Sequence, residues 1–301
     1  MRVRIDLHSH SNVSDGTTSP SEVVERAVAL GLDVLALTDH DTDAGWVEAA
    51  AAARRTGLSL VPGMEISTKH RDRGVHVLGY LLDPGFPPLA SELGRILEGR
   101  DRRLDAMLER LAAAGVHLSA EEVRQQAGVH GVIGRPHFAD AMVARHIVHD
   151  RAEAFDRWLR PGRPGFVARY APATSDMIRL VAAAGGVAVI AHPWGRNTRQ
   201  VPDLETFAQF AALGLVGMEV DHEDHSPENR ERLRSIAVQL GLVVTGSSDY
   251  HGAGKVGHEL GCNLTAPAEF DRLLDAAARN AAASGRQVRA VVGAAAGGAR
   301  T

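Results

Sequence analysis

The sequence predicts an α/β fold, a barrel of seven strands with a helical insertion. Three observations carry that expectation. Seven short β-like runs alternate with helical patterns along the 301 residues. The rhythm breaks once, at about 88–170, where charged, arginine-rich helical sequence takes over. Polar side chains able to do chemistry fall at the carboxyl ends of the runs, the face on which parallel barrels gather functional groups. Strand–helix alternation implies a parallel sheet, and seven units favour closure into a barrel over an open sheet.

The elements follow in order. "VRIDL" (3–7) reads as a strand, and "SPSEVVERAVALG" (19–31) as a helix. Ser19 is placed to cap that helix, Pro20 sits in its first turn, Glu22 completes a capping-box spacing and Gly31 ends it. "DVLALT" (33–38) is the second strand. "DAGWVEAAAAARRTG" (43–57) is the second helix, and "LSLVPG" (58–63) and "GVHVLGYLL" (74–82) are the next strands. After the insertion, "SDMIRLVAAAGGVAVIAHP" (175–193) gives a helix and strand five. "LVGMEV" (215–220) and "LGLVVTGSSD" (240–249) give strands six and seven. The organisation expected is a barrel over 1–87 and 171–280, a helical cap over 88–170, and a loose Ala/Gly-rich tail over 281–301.

Composition narrows the function classes. A net charge of −4 and 4% aromatic residues argue against a coat for long nucleic acid, which needs a basic stripe with stacking rings. The single cysteine, Cys262, rules out an intrachain disulfide and suits a reducing compartment. The first residues lack the apolar core of a signal peptide. The apolar runs fall far short of the roughly 20 residues that span a bilayer. A cytoplasmic enzyme without membrane attachment is expected.

Histidine is over-used, with fifteen in the chain. His8 and His10 end strand one, and Asp15 follows. Asp39 and His40 follow strand two, Glu65 follows strand three, and His76 lies in strand four. His192 ends strand five, and Asp249 and His251 follow strand seven. The strand period of two points His8 and His10 to the same side, where two protonated imidazoles would repel. A divalent cation between them removes that conflict. Imidazole with carboxylate suits Zn, Mn or Fe.

The motifs "DLHSHSNVSDG", "ALTDHDT", "PGMEIS", "VHVLGY", "AHPWG" and "SSDYHG" resemble, in order, those of the PHP (polymerase and histidinol phosphatase) family. The insertion motifs "GVIGRPHFADAMV" and "AFDRWLRPGRPGFV" resemble the branch acting on nucleoside 3′,5′-bisphosphates or the 5′ ends of short RNA. The resemblance implies a distorted, TIM-like seven-stranded β/α barrel with three divalent metal ions, Mn²⁺ foremost, with Zn²⁺ or Fe²⁺ as alternatives. It implies that His8, His10, Glu65 and Asp249 hold one metal. Glu65, His76 and His192 would hold a second, and Asp15, His40 and His251 a third. A hydroxide between the first two metals would attack phosphorus, with Glu65, Asp249, His192 and His222 as the catalytic set. Arg135, His137, Arg196 and His222 are the candidates for holding a small phosphorylated substrate, Arg through its paired donors. The alternatives are another phosphomonoesterase such as histidinol phosphatase, or a metal-stabilised module without catalysis. Oligomeric state is left open.

Overall fold

The computed structural model describes residues 3–127, 132–195, 202–287 and 289–293. Seven strands lie side by side in chain order: β1 (Ile5–Asp6), β2 (Val34–Leu37), β3 (Ser59–His70), β4 (Arg73–Tyr80), β5 (Val187–Ile190), β6 (Leu215–Asp221) and β7 (Val243–Gly246). The end of β7 returns to β1. Asp249 N donates to His8 O at 3.0 Å and His10 N to Tyr250 O at 2.8 Å. The sheet is thus a nearly closed barrel, as the sequence predicts.

Two strand assignments change. β3 does not stop before Glu65 but runs on to His70, and it turns directly into β4 with no helix between them. β4 therefore runs antiparallel to both β3 and β5, while the remaining neighbours are parallel. The cause is the short Arg71–Asp72 turn, with Arg71 at φ 53°. A connection that short permits only a hairpin. His76 consequently reaches the functional face from the first half of its strand, paired with Ser67.

Helices α1 (Pro20–Ala29) and α2 (Trp46–Thr56) cover the first strands. In α1, Ser19 Oγ accepts from Glu22 N and the Glu22 carboxylate accepts from Ser19 N at 2.8 Å, so the capping box is made. Val23, Val24 and Ala27 pack with Ala49, Ala52 and Ala53 of α2 over Leu35 and Leu37. The insertion comprises α3 (Pro87–Ala113), α4 (Ala120–Gln125), α5 (Arg135–Ala144) and α6 (Arg151–Ala154), the last continued by a π-helical turn at Phe155–Leu159. Helices α7 (Thr174–Ala183), α8 (Leu204–Ala212), α9 (Pro227–Leu240) and α10 (Pro267–Ala283) complete the outer layer.

The helix α3 serves two cores. Leu89, Leu93 and Ile96 bury against barrel residues such as Met64, Ile66 and Met177. Leu104, Met107 and Leu111 bury instead with Phe138, Met142 and Leu159 of the insertion. The cap is fixed to the functional face by Arg151. Its guanidinium clasps Asp140 and donates to Gly254 O at 3.1 Å and Asp15 O at 3.4 Å. The segment expected to be loose is partly docked. Val292 exchanges two backbone hydrogen bonds with Leu60, at 2.7 and 2.9 Å, and Arg286 donates to Asp83 Oδ2 at 2.6 Å. Residues 294–301 lie outside the described residues. No described helix is long and apolar enough to cross a membrane.

Candidate metal centre

The strand ends bring nine expected residues to one face. His8 and His10 leave β1 with their Nε2 atoms 3.0 Å apart. Glu65 Oε2 lies 3.4 and 3.2 Å from these two nitrogens, and Asp249 Oδ1 lies 3.3 and 3.4 Å from them. Four ligand atoms thus converge within 4.8 Å of one another. The other Glu65 oxygen, Oε1, faces His76 Nδ1 at 2.7 Å and His192 Nε2 at 3.0 Å. His76 clusters with His40 and Glu65, whereas His192 clusters with His8 and Glu219. Asp15 Oδ1 is 3.2 Å from His251 Nε2, and its Oδ2 is 3.6 Å from His40 Nε2. Asp15, His40 and His251 form a third cluster that also includes His10. The loop carrying Asp15 depends on Gly16, where a Cβ would fall 2.6 Å from His10 O.

Charge is divided unevenly in this pocket. Burial alone would favour neutral carboxyl groups, yet Asp15, Glu65 and Asp249 are all held well below the ordinary range. The neighbouring histidines account for this at Asp15 and Glu65; at Asp249 Lys255 does so first, followed by His8 and His251. Burial opposes protonation of His10, but Asp249, Glu65 and Asp15 outweigh it and raise the ring to about 9. His8 is likewise raised, against burial, by Asp249, Glu219 and Glu65. Burial wins at His40, pushed down to about 3, and also lowers His192 and His251. Asp15 Oδ1 and Asp249 Oδ1 are buried and accept no hydrogen bond. Backbone strain gathers at the same place: His192 and Asp249 have φ of 27° and 52°, left-handed values that non-glycine residues rarely adopt.

The remaining expected residues are placed less uniformly. His222 is fully buried. Its Nδ1 accepts from Asp224 N at 3.0 Å, so its Nε2 carries the proton toward Asp249 Oδ2 at 3.2 Å. The ring orients Asp249 and turns no open side to a substrate. His137 is buried in the cap, its Nδ1 accepting from Gly134 N at 3.0 Å. Arg135 donates to Leu159 O at 3.3 Å and lies over the rings of Phe155 and Phe166. Arg196 lies outside the described residues.

Several functional-face residues escaped the sequence reading. Glu219, fully buried, meets His8 Nδ1 at 3.2 Å, accepts from His192 N at 2.8 Å and from the Ser247 hydroxyl. An acid inside the apolar strand "LVGMEV" was the available signal. Lys255 pairs with Asp249 from a glycine-rich loop whose composition points to no function. Arg100 and Asp41 form a buried pair between α3 and the loop after β2. The two residues stand 59 positions apart, and nothing in the sequence links them.

The comparisons agree with this geometry. The PHP domain family matches residues 6–163. A 3′,5′-nucleoside bisphosphate phosphatase of Chromobacterium violaceum is 37% identical over 85% of this chain and 90% of its own length. A 5′-3′ exoribonuclease of Haemophilus influenzae is 36% identical over 83% of this chain and 91% of its own. A crystal structure from Bifidobacterium adolescentis, described as a metal-dependent phosphoesterase, superposes with a TM-score of 0.86 at 38% identity, covering 90% of this chain and 96% of that one. With the family pattern matching more than half of the sequence and full-length relatives above 30% identity, the chain belongs to the PHP domain family.

Proposed function

We propose that the chain is a metal-dependent phosphohydrolase of small nucleotides, removing the 3′-phosphate from nucleoside 3′,5′-bisphosphates. The observation that carries this is the convergence of six histidines and three acids on one barrel face. Within it, Asp15 Oδ1 and Asp249 Oδ1 are buried among imidazole nitrogens without any hydrogen-bond donor. An orphaned buried carboxylate oxygen is costly unless a cation meets it. Mixed imidazole and carboxylate ligands fit Mn²⁺, Zn²⁺ or Fe²⁺.

His8, His10, Glu65 and Asp249 would hold one ion. Asp15, His40 and His251 would hold another, and His76 and His192 would complete a third with the outer Glu65 oxygen. Such ions supply an activated water and neutralise the phosphoryl oxygens. Around them the chain positions the ligands. Glu219 fixes the His8 ring through Nδ1, and His222 fixes Asp249 through Nε2–H. Arg151 ties the cap to the loops that carry Asp15 and Gly254. In the overall reaction a water oxygen bonds to phosphorus as the P–O3′ bond breaks, and the leaving 3′-oxygen takes up a proton.

The names of the two relatives share one chemical element. A nucleoside 3′,5′-bisphosphate and a 5′-phosphorylated RNA end both carry a phosphoester on O3′ beside a 5′-phosphate. Trimming of short RNA ends is therefore compatible with the same centre. The test is phosphate and nucleotide release by the Mn²⁺-loaded protein from adenosine 3′,5′-bisphosphate, AMP and a short 5′-phosphorylated RNA. Release from the bisphosphate with AMP left intact supports the proposal. No release from any of the three, with bound metal verified, refutes it.

A further inference from the structure

Asp39 follows β2 and stands next to the metal-centre residue His40, yet it belongs to none of the ligand clusters among the described residues. It is 1% exposed. Its Oδ1 accepts from Ser11 N at 2.8 Å and from Ser14 Oγ at 2.6 Å, and its Oδ2 accepts from Ser11 Oγ at 2.6 Å. Behind the carboxylate, Gly45 packs so closely that a Cβ there would fall 2.9 Å from Oδ2. A carboxylate buried this tightly is costly unless its donors stay in place. Asp39 and the turn begun by Ser11 therefore hold each other. Ser14 N and Gly16 N both donate to Ser11 O, at 3.1 and 2.9 Å, and Asp15 stands between these two donors.

The Ser14 hydroxyl has a single hydrogen, and it goes to Asp39. Ser14 Oγ also lies 3.3 Å from His10 Nδ1. Toward the ring it can only accept, so Nδ1 carries a hydrogen. In a neutral ring the lone pair is then on Nε2. That atom faces Glu65 Oε2 at 3.2 Å and Asp249 Oδ1 at 3.4 Å. The opposite assignment is close at hand. His10 Nδ1 is 3.7 Å from Asp15 Oδ1, and His10 also clusters with Asp15, His40 and His251. A lone pair on Nδ1 would serve that second group instead. The bond to Ser14 decides between the two.

Resting on the metal-dependent function proposed above, we infer that Asp39 is a positioning residue that divides the ligands between two neighbouring ions. Through Ser14 it commits His10 to the ion held by His8, Glu65 and Asp249. Through the turn begun by Ser11 it presents Asp15 to the ion held by His40 and His251. Asp39 itself ligates neither ion. Metal-binding histidines commonly donate their second ring N–H to a carboxylate. Here one hydroxyl is inserted in that link, so a single buried carboxylate acts on His10 and on the Asp15 loop together.

The test is equilibrium dialysis of the full chain against Mn²⁺, with no substrate present. Ser14→Ala removes the link to His10 and leaves both Ser11 bonds. Asp39→Ala removes all of them. Asp39→Asn keeps an oxygen for Ser11 N and Ser14 Oγ and turns its amide toward Ser11 Oγ. Ser14→Ala should weaken one class of bound ion by roughly 10–100-fold, Asp39→Ala should weaken two classes, and Asp39→Asn should bind as wild type does. Nitrogen-resolved NMR of the Zn²⁺-loaded protein reads the tautomer, which a purely structural role would not move. A slowly exchanging hydrogen on His10 Nδ1 should appear in wild type and Asp39→Asn and vanish in Ser14→Ala. Mn²⁺ binding equal to wild type in Ser14→Ala and Asp39→Ala overturns the inference and leaves the phosphohydrolase reading standing. A loss in Asp39→Asn as large as in Asp39→Ala overturns the hydrogen-bonded link. A wild type that binds no Mn²⁺ overturns the metal-dependent reading itself. Where Asp39→Ala does not fold, Ser14→Ala and Asp39→Asn decide between them.

Discussion

Arg100 places Nε and Nη2 on a single oxygen of Asp41, at 2.9 and 2.6 Å, in a spot where both side chains are almost fully buried. One partner comes from α3 and the other from the loop that carries the metal-centre residue His40. The pair therefore joins the cap helix to the metal-bearing face. Removing one member strands the other in a medium that solvates it poorly. Arg100→Met should cost roughly 3–5 kcal/mol of stability, read as a lowered urea midpoint at unchanged slope. A loss under 1 kcal/mol would mean that water reaches Asp41 and the joint is not a closed one.

The same pair sets an acid limit. Burial raises the Asp41 carboxyl, but Arg100, Arg169 and His40, with the Ser67 amide, more than reverse this and bring it to about 2. A carboxyl lower in the folded than in the unfolded chain stabilises above its unfolded value, near 4, and that contribution fades as pH falls toward 2. The stability difference between wild type and Asp41→Asn should therefore be constant above pH 5 and shrink steadily between pH 4 and 2. A difference that stays flat over that interval would show that Asp41 titrates at its ordinary value.

Much of this architecture was legible because it is written in local patterns. The period of two put His8 and His10 on one side, and Ser19 with Glu22 announced the start of α1. What was not legible depends on pairing between distant segments. Nothing local in "GVHVLGYLL" shows that β4 runs antiparallel, since an apolar strand reads the same in either direction. The reversal follows from how β3 outruns its expected end at Gly63. Arg103 reads as one more charge on an arginine-rich helix, and only the packing of the cap against β3 buries it. His222 sat at the correct strand end, yet its loop folds the ring under Asp249.

Glu219 should matter although it lies behind the first row of ligands. Its carboxylate contacts His8 Nδ1 at 3.2 Å, which fixes the ring so that Nε2 faces Glu65 and Asp249. Partners of this kind hold both the tautomer and the basicity of a metal-binding imidazole. Glu219→Gln keeps the shape and loses the charge. It should weaken Mn²⁺ binding by roughly 10–100-fold, measured by competition with a fluorescent chelator. Unchanged affinity would assign Glu219 to packing with Ser247 alone.

Removing metal should also loosen the fold. The centre draws its side chains from β3, β4 and the loops after β1, β2, β5 and β7, so ions bound there tie together most of the barrel rim. An ion present at 100 times its dissociation constant adds about 2.7 kcal/mol, because it binds the folded chain and not the unfolded one. For a chain of this size each kcal/mol moves Tm by roughly 2–4 °C. Exhaustive chelation should thus lower Tm by about 5–10 °C, and re-addition of Mn²⁺ should restore it. Glu65→Gln removes the carboxylate whose two oxygens serve separate histidine groups. In that variant chelation should shift Tm by much less than in wild type. An equal shift in both proteins would place the stabilising ions away from Glu65 and break the link between the barrel rim and metal binding.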